Sequence, residues 1–198
     1  MSRYWYVLLI CFCCGCSKQV LLPLESGHRA IYQRTFYSFE TGQKNDSFLD
    51  TERVTTPVVI RGEEYMKVTG RDKTLYYINK ADGLWALNPD MTVYYHFKFP
   101  ASKGDSYDTQ TIGPRDIGEQ LSSSWKVLST DTTLTLAWGH YTCYHYRYQM
   151  IRETGEVLRQ QDAFWTPKIG LICYETYEHP NEKLVLISSD LLVDGIHR

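Results

Sequence analysis

The strongest constraint in this chain is alternation. Over Thr92 to Phe99, Val93, Tyr95, Phe97 and Phe99 share one face of an extended backbone, while Thr92, Tyr94, His96 and Lys98 share the other. Successive side chains of a strand point to opposite sides of the sheet, so such a pattern reads as a half-buried strand. Leu134, Leu136 and Trp138 oppose Thr133, Thr135 and Ala137 in the same way. Between Tyr141 and Ile151, Tyr144, Tyr146, Tyr148 and Met150 oppose Cys143, His145, Arg147 and Gln149. Leu184 to Ile187 is apolar on both faces, which suits a more central strand.

Turn chemistry separates these runs. Ala81-Asp82-Gly83, Asn88-Pro89-Asp90, Glu153-Thr154-Gly155 and His179-Pro180-Asn181 each fall between apolar segments. No window carries a helical stripe, and Asp116 to Trp125 holds a short helix at most. The expectation is an all-β, mostly antiparallel single domain, its sheet forming a partly open barrel or a sandwich. With 16 Tyr among 198 residues, the strands have rings that cover a pleated surface while their hydroxyls reach water. The formal charge of −2 argues against nucleic-acid binding, which needs a basic face. No run of Lys and Arg offers a polybasic membrane patch.

The first residues, MSRYWYVLLICFCCGC, have a different logic. Arg3 supplies a positive start, and Tyr4 to Phe12 is an uncharged, mostly apolar run. That run is too short to span a bilayer but suits the core of a signal peptide. Small residues then lead to Cys16, followed by Ser17-Lys18-Gln19. The segment resembles the lipobox of bacterial lipoproteins. The resemblance implies cleavage after Gly15 and acylation of Cys16, with Cys14 as the less favoured alternative. Cys13 and Cys14 depart from the usual residues of that motif. On this reading 1–15 is the signal peptide, 16–22 the lipidated N-terminus and a short tether, and 23–198 the β domain. Two or three acyl chains hold a protein stably to a membrane where one does not. Ser17 in place of Asp resembles lipoproteins sorted onward to the outer membrane, facing the periplasm or the cell surface.

Export also frames the remaining cysteines. Cys143 and Cys173 are an even pair in an oxidising compartment and a candidate disulfide. A simple meander would put one strand between them, too far for a bridge, so two separate buried thiols are the alternative.

The mature region resembles a loose group of uncharacterised β-rich bacterial lipoproteins. Pro23 to Tyr32 matches their "PLxxGxxWxY" opening, and Phe99 to Tyr107 their "FPxxxGDxW" middle, with Tyr107 in place of the usual Trp. Gly139 to Arg147 matches a "GxYxCYxYR" strand, and Trp165 to Glu175 a "WxxPxxGLxxYE" strand. The resemblance implies a β-rich envelope protein and carries no activity.

The chain offers no catalytic or metal motif, and no cofactor is expected. His140 and His145 are five apart and would point to opposite faces of one strand, while His96 falls on the face expected to meet solvent. Glu63-Glu64 and Asp50/Glu52 lie in polar stretches and read as solvated carboxylates, and Ser122-Ser123-Ser124 lacks a nucleophile elbow. Tyr95, Phe97, Tyr144, Tyr146 and Tyr148 could line a groove for acyl chains or glycans, although packed core is the ordinary use of such faces. The expected function is therefore a non-enzymatic, membrane-anchored envelope lipoprotein that binds a ligand or an envelope partner. A structural or assembly accessory acting through an exposed sheet edge is the second reading, and a hydrolase built from residues distant in sequence the third.

Overall fold

The fold comes from a computed structural model, which describes residues 20–38, 40–71, 73–87, 93–109, 121–137 and 139–177, and the backbone of 181–189. The expected signal segment, Cys16 and the part of the expected short helix before residue 121 lie outside the described residues. Residues from Leu121 onward begin a strand instead.

Twelve strands follow one another: β1 (Arg29–Tyr37), β2 (Lys44–Ile60), β3 (Glu63–Thr69), β4 (Thr74–Lys80), β5 (Gly83–Leu87) and β6 (Val93–Lys98). Then come β7 (Ser106–Asp108), β8 (Leu121–Leu136), β9 (Gly139–Arg152), β10 (Val157–Thr166), β11 (Gly170–Thr176) and β12 (Asn181–Ser189). They form one antiparallel sheet in the order β6-β5-β4-β3-β2-β1-β12-β11-β10-β9-β8-β7. The chain is thus two meanders, joined where β1 pairs with β12 in the middle of the sheet. The edge strands β6 and β7 are consecutive in sequence. All-β antiparallel architecture, expected from alternation and turn chemistry, is what the chain adopts.

The sheet curls until those two edges meet. Between them the closure is made by side chains. Thr109 Oγ1 donates to the carbonyl of Tyr95 at 2.9 Å. The amide of Lys98 donates to the Tyr107 hydroxyl at 3.2 Å. Tyr146, reaching from β9, donates to the carbonyl of Lys98 at 2.7 Å. The Lys98 ammonium meets Asp105 at 2.8 Å on the outside. Backbone groups on a free sheet edge need partners, and here hydroxyls supply them. The result is a barrel zipped by backbone ladders around most of its girth and by this seam elsewhere.

The inner face of the barrel is the core. Val54, Val68, Tyr77, Leu84, Ala86, Phe97, Trp125, Val127, Tyr146, Tyr148, Ala163 and Trp165 are buried in one cluster. Phe97 lies at its centre, with ring centroids 4.6 Å from Trp125, 4.6 Å from Trp165 and 5.1 Å from Tyr146. A smaller cluster joins Ala30, Tyr32, Cys143 and Ile172. The residues before β1 also belong to the body. Leu21 is 1% exposed, Leu22 accepts a hydrogen bond from Asn79 at 2.8 Å, and the carbonyl of Val20 accepts the amide of Lys168. Val20-Leu21-Leu22, at the end of the expected 16–22 segment, packs against the body.

Alternation holds along β9 and fails along β6. The register runs Leu84 to Phe97 but Trp85 to Tyr95, so His96 is an extra residue on β6. A bulge of this kind turns two successive side chains to one side. His96 and Phe97 both face inward, and Tyr95 faces outward, stacked on Trp85 with centroids 4.7 Å apart. The expectation that His96 meets solvent is overturned by this single inserted residue.

Candidate functional site

A cavity of about 500 Å³ lies inside the barrel, within the range of small-molecule sites. Its wall is drawn from eight strands and the segments before β1, β4 and β11. Aliphatic side chains (Val54, Val68, Leu75, Leu171) share the lining with rings (Tyr77, Tyr94, His96, Trp125, Trp165).

The two ends of the cavity differ. At one end Leu22 closes in so tightly that a Cβ on Gly170 would sit 2.7 Å from Leu22 Cδ1. Along β10, Trp165, Ala163, Gln161 and Arg159 line the cavity in turn, away from that closed end. Six residues of strand cover roughly 20 Å. The far end is charged. Glu52 and Lys73 both line the cavity and are bridged at 2.7 Å, and the Lys73 side chain is 39% exposed. Cross-strand partners share a face, so Tyr32 with Asp50 and Arg34 with Phe48 continue the inner surface past Glu52. There Arg34 donates to Asp50 at 2.7 Å, and the amide of Arg71 donates to the same carboxylate at 3.3 Å. The Arg71 guanidinium lies 4.4 Å from the centre of the Phe48 ring, a cation–π contact. Arg34, Arg71 and Lys73, with Asp50 and Glu52, form a charged collar, and Arg159 lines the cavity from β10. The carboxylates expected to be solvated are thus in use: Asp50 is buried and Glu52 is part of the wall.

Burial governs the protonation of the wall. Loss of solvent, with a smaller push from the charge on Lys73, lowers His96 to about 3, so its ring is neutral. Burial raises Tyr94 to about 12 and holds Tyr32 and Tyr77 well above the ordinary phenol value. The wall therefore carries neutral hydroxyls and a neutral imidazole, with charge left to the collar and Arg159. His96 Nδ1 and the indole nitrogens of Trp125 and Trp165 are buried without a hydrogen-bond partner.

The five aromatics expected to line a groove divide. Phe97 borders the cavity. Tyr146 and Tyr148 are fully buried core, Tyr148 donating to Ser123 at 3.0 Å. Tyr144 packs beside that core on Phe99, and Tyr95 faces outward because of the bulge. These rings are packing rather than lining because β9 sits directly under Phe97 and Trp125. Cys143 and Cys173 are buried thiols on strands separated by β10, and no disulfide joins them. Burial raises the Cys143 thiol, against a weaker opposing effect from its bond to Thr166.

On the outside, Asp162 accepts both Arg147 Nε and Nη2 at 2.7 and 2.8 Å, while His145 lies 3.5 Å away, stacked on Phe164. His140 is exposed and bonds Thr135. Among the described residues no group of His, Cys, Asp and Glu is placed to hold a metal ion, and no helix is long and apolar enough to cross a membrane.

No family model matches the chain, and no curated relative matches it in sequence. Two crystal structures share its architecture. A protein from Bacteroides fragilis, labelled as exported and as having a YMCC-like fold, matches with TM-score 0.52 and 13% identity over 87% of this chain and 99% of its own. A protein from Parabacteroides distasonis, labelled a lipoprotein, matches with TM-score 0.53 and 9% identity over the same shares, 87% and 99%. At such identities the likeness is one of fold.

Proposed function

We propose that this chain is an exported, lipid-anchored protein of the bacterial cell envelope whose β domain binds a small ligand inside its barrel without chemical conversion. The observation that carries the ligand reading is the cavity of about 500 Å³ that opens into an otherwise packed aromatic core. A concave cleft of this size, mostly apolar with a few polar groups at one end, is the usual form of a small-molecule site. Export and anchoring rest on the apolar run ending at Cys16, and the labels of the two structural neighbours agree with them. Ser17 favours the outer membrane as the destination. Docking through a sheet edge is the weaker reading, because hydroxyls from Thr109, Tyr107 and Tyr146 already occupy the edge of β6.

Two measurements test the proposal. Cys16→Ala should move the protein from membrane to soluble fractions, and unchanged retention would refute the anchor. Organic extracts of natively purified protein should contain a small molecule in stoichiometric amount. Ala163→Leu, which projects into the cavity, should remove that molecule while the protein still folds. Equal occupancy in both proteins, or clean extracts from both, would count against the ligand reading.

A further inference from the structure

Among the described residues, Tyr32, Tyr65, Tyr77, Tyr146 and Tyr148 are buried, and their hydroxyls fall into two groups. Tyr65 donates to Glu63, Tyr146 to the Lys98 carbonyl and Tyr148 to Ser123. Tyr32 and Tyr77, 4% and 7% exposed, have no hydrogen-bond partner among the described residues. These are the two that line the cavity. Half-buried Tyr94 lines it as well and is equally unpartnered there. A buried phenol usually finds a partner, so these hydroxyls are fitted to something the chain itself does not supply.

Their placement is convergent. Register sets Tyr77, Ala86 and Tyr94 side by side across β4, β5 and β6, so the two phenols flank a small residue on one face. Burial is the main cause that raises Tyr77, with further pushes from Tyr94, Glu52 and Tyr32, so the three phenols and the carboxylate share one neighbourhood. His96 joins this group to an indole. Its ring lies 5.4 Å from that of Tyr77, 5.7 Å from Tyr94 and 6.5 Å from Trp165. The Glu52–Lys73 pair, bridged at 2.7 Å, adds an acceptor and donors to the same wall.

We infer that the ligand is a short neutral saccharide, its hydroxyls bonded to those of Tyr32, Tyr77 and Tyr94 and its carbon face laid against Trp165. This rests on the reading that the cavity binds a ligand. A phenol both donates and accepts, and a guest hydroxyl does the same, so each can satisfy the other fully. Three phenols on separate strands, β1, β4 and β6, call for several spaced hydroxyls, which a sugar ring has and a lone carbonyl does not. A hydrocarbon chain would leave all three unpaired. Aromatic surface beside a few fixed polar groups suits a ring with one apolar face.

The test uses the full chain carrying Cys16→Ser, so that no attached lipid competes, and titration calorimetry. Maltose, cellobiose, lactose and N,N′-diacetylchitobiose are the saccharide probes, and octanol is the apolar one. At least one disaccharide should bind with a dissociation constant of about 1 mM or tighter. Tyr32→Phe and Tyr77→Phe should each weaken that sugar about tenfold and leave octanol unaffected. Neither change should lower the urea midpoint, because neither hydroxyl has an internal bond to lose; a lowered midpoint would mark a structural hydroxyl and count against the assignment. Binding of octanol but of no disaccharide would overturn the saccharide and leave the cavity reading standing. A sugar held equally by the parent and both variants would overturn it too. Absence of binding by every probe would overturn the cavity reading as well.

Discussion

Tyr146, near the middle of β9, donates its hydroxyl to the carbonyl of Lys98 at the end of β6, 2.7 Å away. These residues belong to opposite halves of the sheet, and no backbone ladder connects their strands. One phenol therefore fastens the two edges, and burial keeps it protonated by raising it above the ordinary tyrosine value. Tyr146→Phe preserves the packed ring and removes the hydroxyl that donates to the Lys98 carbonyl. The expected cost is about 1–3 kcal/mol, measured by urea denaturation. Hydrogen exchange at the Lys98 and Phe99 amides should accelerate. Unchanged stability and exchange would mean that the seam is held by its other contacts alone.

Gly83 opens β5 at φ +151°, and a Cβ there would lie 2.1 Å from the Phe97 carbonyl oxygen and 2.9 Å from the Phe99 nitrogen. Both obstacles are backbone, so neither can rotate away. Gly83→Ala should destabilise by at least about 2 kcal/mol, and thermal melting would read it directly. A near-neutral result would place β6 further from β5 than the register implies.

His96 gives the protein a distinctive acid response. Burial lowers its folded-state value to about 3 from an ordinary 6.5. As pH falls below 6.5 the unfolded chain takes up the proton and the folded chain refuses it, so stability present above pH 6.5 drains away toward pH 3. The slope should approach about 1.4 kcal/mol per pH unit. His96→Phe should flatten it. Denaturation midpoints of the two proteins between pH 6.5 and 4 make the comparison, and parallel curves would exclude the imidazole as the cause.

Asp162 acts lower on the pH scale. Burial tends to raise its carboxyl, but the bonds from Arg147 and His145 outweigh it and hold the group at about 2. Its stabilisation is complete above pH 4 and lost as pH falls toward 2, the depressed-acid case. Arg147 is partly exposed, so the contribution is a screened one of about 1–2 kcal/mol. Asp162→Asn should lower stability at pH 7 by that amount and remove the extra loss below pH 4. A variant as stable as the parent at pH 7 would show the pair to be neutral.

Cys143 and Cys173 should stay unmodified by an alkylating reagent in the folded protein and react together once it is denatured, because both are buried. Intact mass without reductant should show two free thiols. A mass lower by two protons would reveal a bond that the arrangement of β9, β10 and β11 does not contain.

Much of this architecture was written locally. The alternation of Tyr144, Tyr146 and Tyr148 against Cys143, His145 and Arg147 held because β9 runs without interruption beside β10 along that stretch. The same rule misplaced Tyr95 and His96, since nothing in VYYHFK marks an inserted residue; the bulge is set by the partner strand, through Leu84 and Trp85. The collar was equally hidden. Arg34, Arg71 and Lys73 come from β1 and the turn before β4, so no run of basic residues announces them. Asp50 and Glu52 looked solvated because their neighbours in sequence are polar, whereas their neighbours in space include Arg34 and Lys73. The packing role of the β9 tyrosines had been the ordinary expectation, and the cavity opened instead beside β10 and β4.

The pairing of β1 with β12 sets the order in which this protein can be completed. Every other ladder joins strands adjacent in sequence, whereas Ala30 must find Ser189 across nearly the whole chain. Closing so long a loop is entropically the last step to be rewarded, and such distant contacts slow folding. Until the C-terminal strand arrives, the free side of β1 is an open template for any stray strand. The nascent protein is therefore most vulnerable to aggregation in the interval between the emergence of its first meander and the arrival of its last strand.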